Sequence, residues 1–268
     1  MKHFALCSWV LLAMSAGLDA QLKVPQLGVA RYADGSVHPI RGVAANFIVE
    51  PRAIARADGA SFSDSAGLLA INGWIRLLRA DGALLGEYPS AEPLPLLDID
   101  SSAQSAAVWL PSKHMLLRWN GTQFVETPID DSSFAGRVTF VSLASNTTAH
   151  FFVVLADSSV TRISVALPSG RVTSSDLQPG SQGSVSTQQG WIISQDAWGL
   201  IAERPGANRQ TLQLSRQALP ADDLTMEKMS NHWLHVTSRS TGTGWAVYLD
   251  TAKLNVFLLP SPVARVAR

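Results

Sequence analysis

Asp98 and Asp100 have the residue types and the spacing to do chemistry. Two positions apart on an extended run, Leu96-Leu97-Asp98-Ile99-Asp100, they project to the same face. A carboxylate pair on one face could hold a calcium ion, which takes six or more oxygen ligands. The competing reading gives Asp100 to a turn with Ser101 and leaves Asp98 solvated, and the sequence favours it. No Asp-x-Asp-x-Asp-Gly loop supports calcium elsewhere. His232 and His235 would share a metal on a helix, but they flank an extended run, where positions i and i+3 face opposite ways. His150 opens an apolar run and reads as a strand-end residue. Gly242-Thr243-Gly244 lacks the third glycine of a dinucleotide fingerprint, and there is no His-Glu-x-x-His, Gly-x-Ser-x-Gly or phosphate-loop motif. No catalytic residue and no cofactor follows from these patterns. Asp98 and Asp100 are the metal candidates.

The elements that must position these residues are strands. Short runs rich in Val, Ile, Leu, Phe and Trp alternate with Gly, Pro, Asn, Asp and Ser clusters. Between Leu96 and Pro128 four such runs follow one another, the last two joined by Asn120-Gly121, a strong hairpin signal. The pattern recurs in units that end at Pro89, Pro128, Pro179, Pro220 and Pro260. Trp74, Trp119, Trp198 and Trp245 mark the third strands, and Arg162 stands where the middle one falls. The step is roughly 43 residues, the period of a β-propeller blade. The runs Phe151–Leu155 and Ala106–Leu110 are apolar at every position, so both of their faces must be covered. A blade wedged between two others meets that demand.

The expected fold is therefore an all-β propeller of four-stranded antiparallel blades. It has five full repeats plus an N-terminal half-blade around Asp34-Gly35, or six blade positions if the C-terminus closes the ring. Residues 221–230 could form a turn or two of helix. The seven tryptophans outside the leader are read as packing between blades, in preference to a sugar-binding platform.

Composition limits function. The chain has 268 residues, with 21 Lys plus Arg against 21 Asp plus Glu, so it carries no bulk charge with which to hold nucleic acid. Lys2 and His3 precede an apolar run, Phe4–Ala16, with small residues after it, which is the pattern of a secretory signal peptide. Cleavage is expected after Ala20, leaving residues 21–268 as a single propeller domain in the periplasm or outside the cell. The only cysteine, Cys7, would leave with the leader. No later apolar stretch is long enough for a membrane span.

Two segments carry a likeness to known proteins. Phe62-Ser63-Asp64-Ser65-Ala66-Gly67-Leu68-Leu69-Ala70, and the stretch from Asp98 to Val108, resemble worn forms of the "SPDG…A" turn in bacterial propellers of the TolB, YVTN and WD-repeat type. Val37-His38-Pro39-Ile40-Arg41-Gly42-Val43 is similar to a segment near the start of secreted bacterial propellers. The likeness spans nearly all of residues 21–268. It departs from its models in having no Trp-Asp dipeptide, no kelch Gly-Gly pair and no sialidase Asp-box. It implies a propeller and a general role in binding, and it carries over no catalytic residue. The expected function is a non-enzymatic binding or protein-interaction scaffold. It would act as a monomer, with an unknown protein or small ligand at its rim and no nucleic acid. One alternative is a hydrolase, lyase or lactonase with a divalent metal in the central channel, where Asp98, Asp100 and a His would converge. Another is a structural subunit of an envelope assembly.

Overall fold

The computed structural model describes residues 24–221, 223–250 and 252–262. The expected leader, and all but two residues of the strand expected after Pro260, lie outside them. Nearly every described element is a strand, the exception being one 3-10 turn at Pro111–Lys113.

The first sheet contains β1 (Gln26–Arg31), β2 (Ser36–Val43), β3 (Asn46–Val49) and β4 (Ala55–Arg56). The second is β5 (Gly59–Phe62), β6 (Ala66–Ile71), β7 (Trp74–Arg79) and β8 (Leu84–Pro89). The third is β9 (Leu96–Ile99), β10 (Ala106–Leu110), β11 (Met115–Trp119) and β12 (Phe124–Pro128). A seven-stranded sheet follows, with β13 (Arg137–Ser145), β14 (Thr148–Val154), β15 (Ser159–Ala166), β16 (Arg171–Gln188), β17 (Trp191–Gln195), β18 (Gly199–Glu203) and β19 (Gln210–Gln213). The last sheet is β20 (Leu224–Lys228), β21 (Trp233–Ser238), β22 (Gly244–Leu249) and β23 (Leu254–Leu259). Apart from β4, which pairs with β2, consecutive strands pair antiparallel in sequence order.

The all-apolar strands are buried on both faces, as their composition requires. In β10, Val108 and Leu110 join a core with Leu68, Ile75, Leu77 and Leu117 on one side. Ala107 and Trp109 join a second core with Leu116, Phe151 and Val153 on the other. Because successive side chains of a strand point to opposite faces, one strand serves two interfaces, and the sheets stand side by side as in a β-propeller. The first strands contact one another in turn, β5 with β9, β9 with β13, β13 with β16, β16 with β20 and β20 with β5, and β1 lies against both β20 and β5. Outer strands alternate, as β8 and β19 do.

Four expectations need correction. The N-terminal half-blade is a sheet in its own right, and no described strand from the other end of the chain joins it. The two ends meet by other contacts: the Val29 amide donates to the Met229 carbonyl at 3.0 Å, and the Tyr32 hydroxyl donates to the Pro260 carbonyl at 3.0 Å. Gly28 makes this seam possible, since a Cβ there would lie 2.4 Å from the Met229 carbonyl oxygen. Second, the unit boundary at Pro179 is not a break. Residues 171–178 of β16 pair with β15, and residues 182–188 pair mainly with β17. Pro179 and two positive-φ glycines, Gly180 and Gly183, fall where the strand changes partners, a place that asks no ladder donor of the proline. Third, residues 224–228 form β20 and not a helix, because β20 completes the last sheet. Fourth, the tryptophans are not equivalent. Trp109, Trp119, Trp191 and Trp233 are buried, whereas Trp74 and Trp198 are 36% and 48% exposed. Trp74 opens β7, Trp119 closes β11, and Trp198 precedes β18, so a shared period does not give them a shared environment.

Candidate functional site

The inner strands carry polar residues where the neighbouring strands are apolar. Asp98 on β9 and Lys228 on β20 meet at 2.5 Å, nearly buried, and the Lys228 ammonium also donates to the Ile99 carbonyl at 3.0 Å. Burial pushes the Asp98 carboxyl above the usual range, and the Lys228 charge opposes that rise. One strand position away, Glu227 accepts from Arg31 Nη2 at 2.7 Å and Nε at 2.9 Å. Burial raises its carboxyl too, against the pull of Arg31 and of the Ala60 amide. One ion pair thus reaches from β20 past β5 to β9, and the other joins β20 to its neighbour β1.

Asp100 lines the same cavity as Asp98 but serves the β9–β10 turn. It accepts from the Ser102 hydroxyl at 2.9 Å and from the Ser105 amide at 3.3 Å. A divalent ion would have to displace the Lys228 ammonium from Asp98 and compete with the turn for Asp100. Among the described residues no three His, Cys, Asp or Glu converge as a metal cluster. His235 is buried and faces Tyr32 at 5.5 Å between ring centres, while His232 lies near Tyr248 and the Leu249 carbonyl. The two histidines do not share a site.

Asp98 and Lys228 form one wall of a cavity of about 700 Å³ where the first strands converge. It extends into the cleft inside the seven-stranded sheet. There the apolar core between the two halves is only Phe140, Phe152, Val160 and Val185, with Val154 and Ile192 beside it. Two residues from Phe152 on the same strand face stands His150, half-buried, and opposite Phe152 on β15 stands Arg162. Burial, and then the Arg162 charge, hold the His150 imidazole below its ordinary pKa. The far wall carries Gln188, Ile192 and Arg204, whose guanidinium lies 6.0 Å from the Trp191 ring centre. Gln188 donates to the Ser230 carbonyl, while its buried Oε1 has no partner.

Asn231 bridges the rim. Its amide donates to Asp64 Oδ1 at 3.1 Å, its side chain donates to the Ser101 carbonyl at 3.1 Å, and its carbonyl accepts from Gln189 at 3.0 Å. Turns of several sheets are fixed around the mouth in this way.

Sequence reasoning found Asp98, Asp100 and His150, and missed Lys228, Gln188, Glu227 and Asn231. The signal for Arg162 was its place in a series otherwise held by tryptophan. Lys228 gave none, because its segment was open to a helical reading.

No family model matches this chain, and no curated protein matches it. Solved structures do. A chain of a nidogen/laminin complex is similar at 13% identity with a TM-score of 0.52, over 86% of this chain and 92% of that one. Hydrazine synthase of Kuenenia stuttgartiensis matches at 10% identity with a TM-score of 0.47, over 88% and 80%. AztD of Citrobacter koseri matches at 13% identity with a TM-score of 0.45, over 87% and 70%. The nidogen/laminin likeness fits the arrangement of the sheets, and the class of the chain is that of a β-propeller.

Proposed function

We propose that this chain is a secreted or periplasmic β-propeller that binds a ligand at the channel mouth and does not turn it over. In this reading the propeller has six blades, the seven-stranded sheet being two of them joined through β16, and residues 1–20 are removed on export. The blade count rests on the change of partners within β16 and on β1–β4 forming a sheet of their own. The TolB or WD-like type rests on the turn sequences alone.

One observation carries the binding role. The mouth holds a cavity of about 700 Å³, within the size range of small-molecule sites, lined by polar side chains that converge from several sheets. Among the described residues that line it, no nucleophile is hydrogen-bonded to a base, the arrangement that covalent catalysis requires. The nidogen/laminin structure places a similar fold in a complex with another protein, which keeps a macromolecular partner at the same rim as a second form of the reading.

The test uses the exported protein. Mass spectrometry of the periplasmic form is expected to give a chain beginning at Gln21. A thermal-shift screen of polar metabolites is expected to find ligands that lose their effect in Ala144→Trp, which fills the exposed mouth without entering the core. Hydrolysis of ester, lactone or glycoside substrates by the purified protein would overturn the reading.

A further inference from the structure

We propose that the cleft between the first and second sheets is a further binding site, and that it takes a small, neutral, apolar molecule of one or two aromatic rings. It is distinct from the channel mouth. Among the described residues the two cavities share only Phe62 and Ser230 as wall residues, so neither site depends on the other.

The cleft follows from how this seam is packed. Each of the other seams between neighbouring sheets is filled by a tryptophan. Trp119 lies between the second and third sheets, and Trp109 between the third and the seven-stranded one. Trp191 lies between that sheet and the last, and Trp233 between the last and the first. The first and second sheets meet instead through Val37, Ala57, Ala60, Phe62 and Leu69, with one aromatic ring among them. Protein interiors are ordinarily close-packed, and here the small side chains leave a cavity of about 410 Å³. Gly28 and Gly67 add backbone to its walls and no side chain. A Cβ on Gly67 would come 2.8 Å from the Phe62 ring, so Phe62 packs against bare backbone there.

The walls define the ligand. Leu27, Val29, Leu69, Leu78 and Met229 line the cavity with Phe62. Ile54, 61% exposed, lines it too, a large apolar side chain left to water at an apolar opening. Among the described residues no polar side chain of the lining is buried without a hydrogen-bond partner, so the site asks no donor or acceptor of its ligand. The charged groups at the rim are already answered. Arg79 lies 3.7 Å from Asp81, and Asp64 Oδ1 accepts from the Asn231 amide at 3.1 Å. An anion would meet one guanidinium and two carboxylates there, and would leave its hydration behind on entering apolar walls. An apolar molecule gains from every wall, because its own surface and that of Ile54 leave water together. Apolar cavities take small aromatic molecules for the same reason, and the volume lies within the range of small-molecule sites.

The experiment is fluorescence titration of the whole mature protein at pH 7.5 with two fluorophores, N-phenyl-naphthylamine and its sulfonate, anilinonaphthalene sulfonate. Both brighten in apolar surroundings, and they differ by one negative charge, so the comparison isolates that charge. The neutral fluorophore is expected to bind about tenfold more tightly than the sulfonate, or better, because the sulfonate must be desolvated. Ala80→Trp, at an exposed position of the lining, is expected to weaken the neutral fluorophore by roughly tenfold or more by filling the opening. Leu78→Gln, which sets an amide on an apolar wall, is expected to weaken it to a similar extent. If Leu78→Gln fails to fold, Ala80→Trp carries the test alone. Ala144→Trp, which fills the channel mouth, is expected to leave the affinity unchanged. Equal or tighter binding of the sulfonate would overturn the neutral class. An affinity for the neutral fluorophore that survives Ala80→Trp, or that is lost in Ala144→Trp, would overturn the site, and so would no binding at all.

Discussion

Arg31 and Glu227, 196 positions apart in the chain, form a two-pronged ion pair with contacts of 2.7 and 2.9 Å. They join the first strand of the first sheet to the first strand of the last. Strand exchange would normally be the strongest way to close a ring. Here the Arg31–Glu227 pair, the Val29–Met229 and Tyr32–Pro260 hydrogen bonds and an apolar core of Ala30, Ile40, Trp233 and Leu259 close it among the described residues. The pair therefore does work that sheet hydrogen bonds would do elsewhere.

Its contribution can be isolated by a double-mutant cycle. About a fifth of each side chain remains accessible, so the full penalty of an uncompensated buried charge does not apply. Arg31→Met is expected to cost about 2–3 kcal/mol, because it strands Glu227. Arg31→Met with Glu227→Leu is expected to cost less than that single change. Urea unfolding of the variants at pH 7.5 measures this, and strictly additive losses would mean that the two residues act independently.

The Asp98–Lys228 pair predicts a pH-dependent loss. In Lys228→Met, Asp98 stays buried without the charge that opposed the rise of its pKa. A carboxyl whose folded pKa is raised contributes stability at low pH that disappears as pH rises through that pKa. The deficit of Lys228→Met relative to the native chain is thus expected to reach about 3 kcal/mol at pH 7.5 and to shrink at pH 5. Asp98→Asn with Lys228→Met should recover part of it. A deficit that does not change with pH would show that Lys228 acts through packing alone.

Tryptophan burial separates what the period encodes from what it does not. Trp109 is sealed against Phe151 at 5.1 Å between ring centres. Trp109→Ala is expected to cost about 3–5 kcal/mol. Trp198, 48% exposed, is expected to cost under about 1 kcal/mol when changed to Ala. Thermal unfolding of the two variants side by side checks the contrast. Similar losses would put the exposed ring in an interface.

That contrast explains how far the sequence could be read. The apolar run in β10 dictates cover on both faces, and the turns Asp34-Gly35 and Asn120-Gly121 each require positive φ at glycine. The strands and the propeller were legible for these local reasons. Asp100 was legible as a turn residue because its partners lie two and five positions ahead. Lys228 could not be paired with Asp98 by reading, since 130 residues separate them and only the closure of the ring brings them together. Gln188 lies on a strand whose two halves serve different neighbours, and nothing in its local sequence says which wall it will line. Local turn chemistry and periodicity survive in a linear string, whereas contacts across the axis depend on the angle between distant sheets.

His235 gives the chain an acid-sensitive element at the same seam. It is buried against Tyr32, with Thr237 Oγ1 at 3.2 Å from Nε2 and the Arg31 charge nearby. Burial, reinforced by Arg31, lowers its pKa from 6.5 to about 4. Because the folded pKa is depressed, the folded chain binds fewer protons than the unfolded one between these values. The stability is complete above pH 6.5 and declines as pH falls toward 4. For this one group the displacement corresponds to about 3 kcal/mol. His150, also lowered by burial, adds to the decline in the same direction. Asp98 and Glu227, both raised by burial, work against it. Replacing His235 with Gln removes only the first contribution. Denaturant unfolding of the native chain from pH 7.5 to 4.5 is expected to show a falling free energy, and His235→Gln is expected to show a visibly shallower fall. Parallel profiles would mean that His235 becomes protonated without opening the seam, and that the decline comes from other groups.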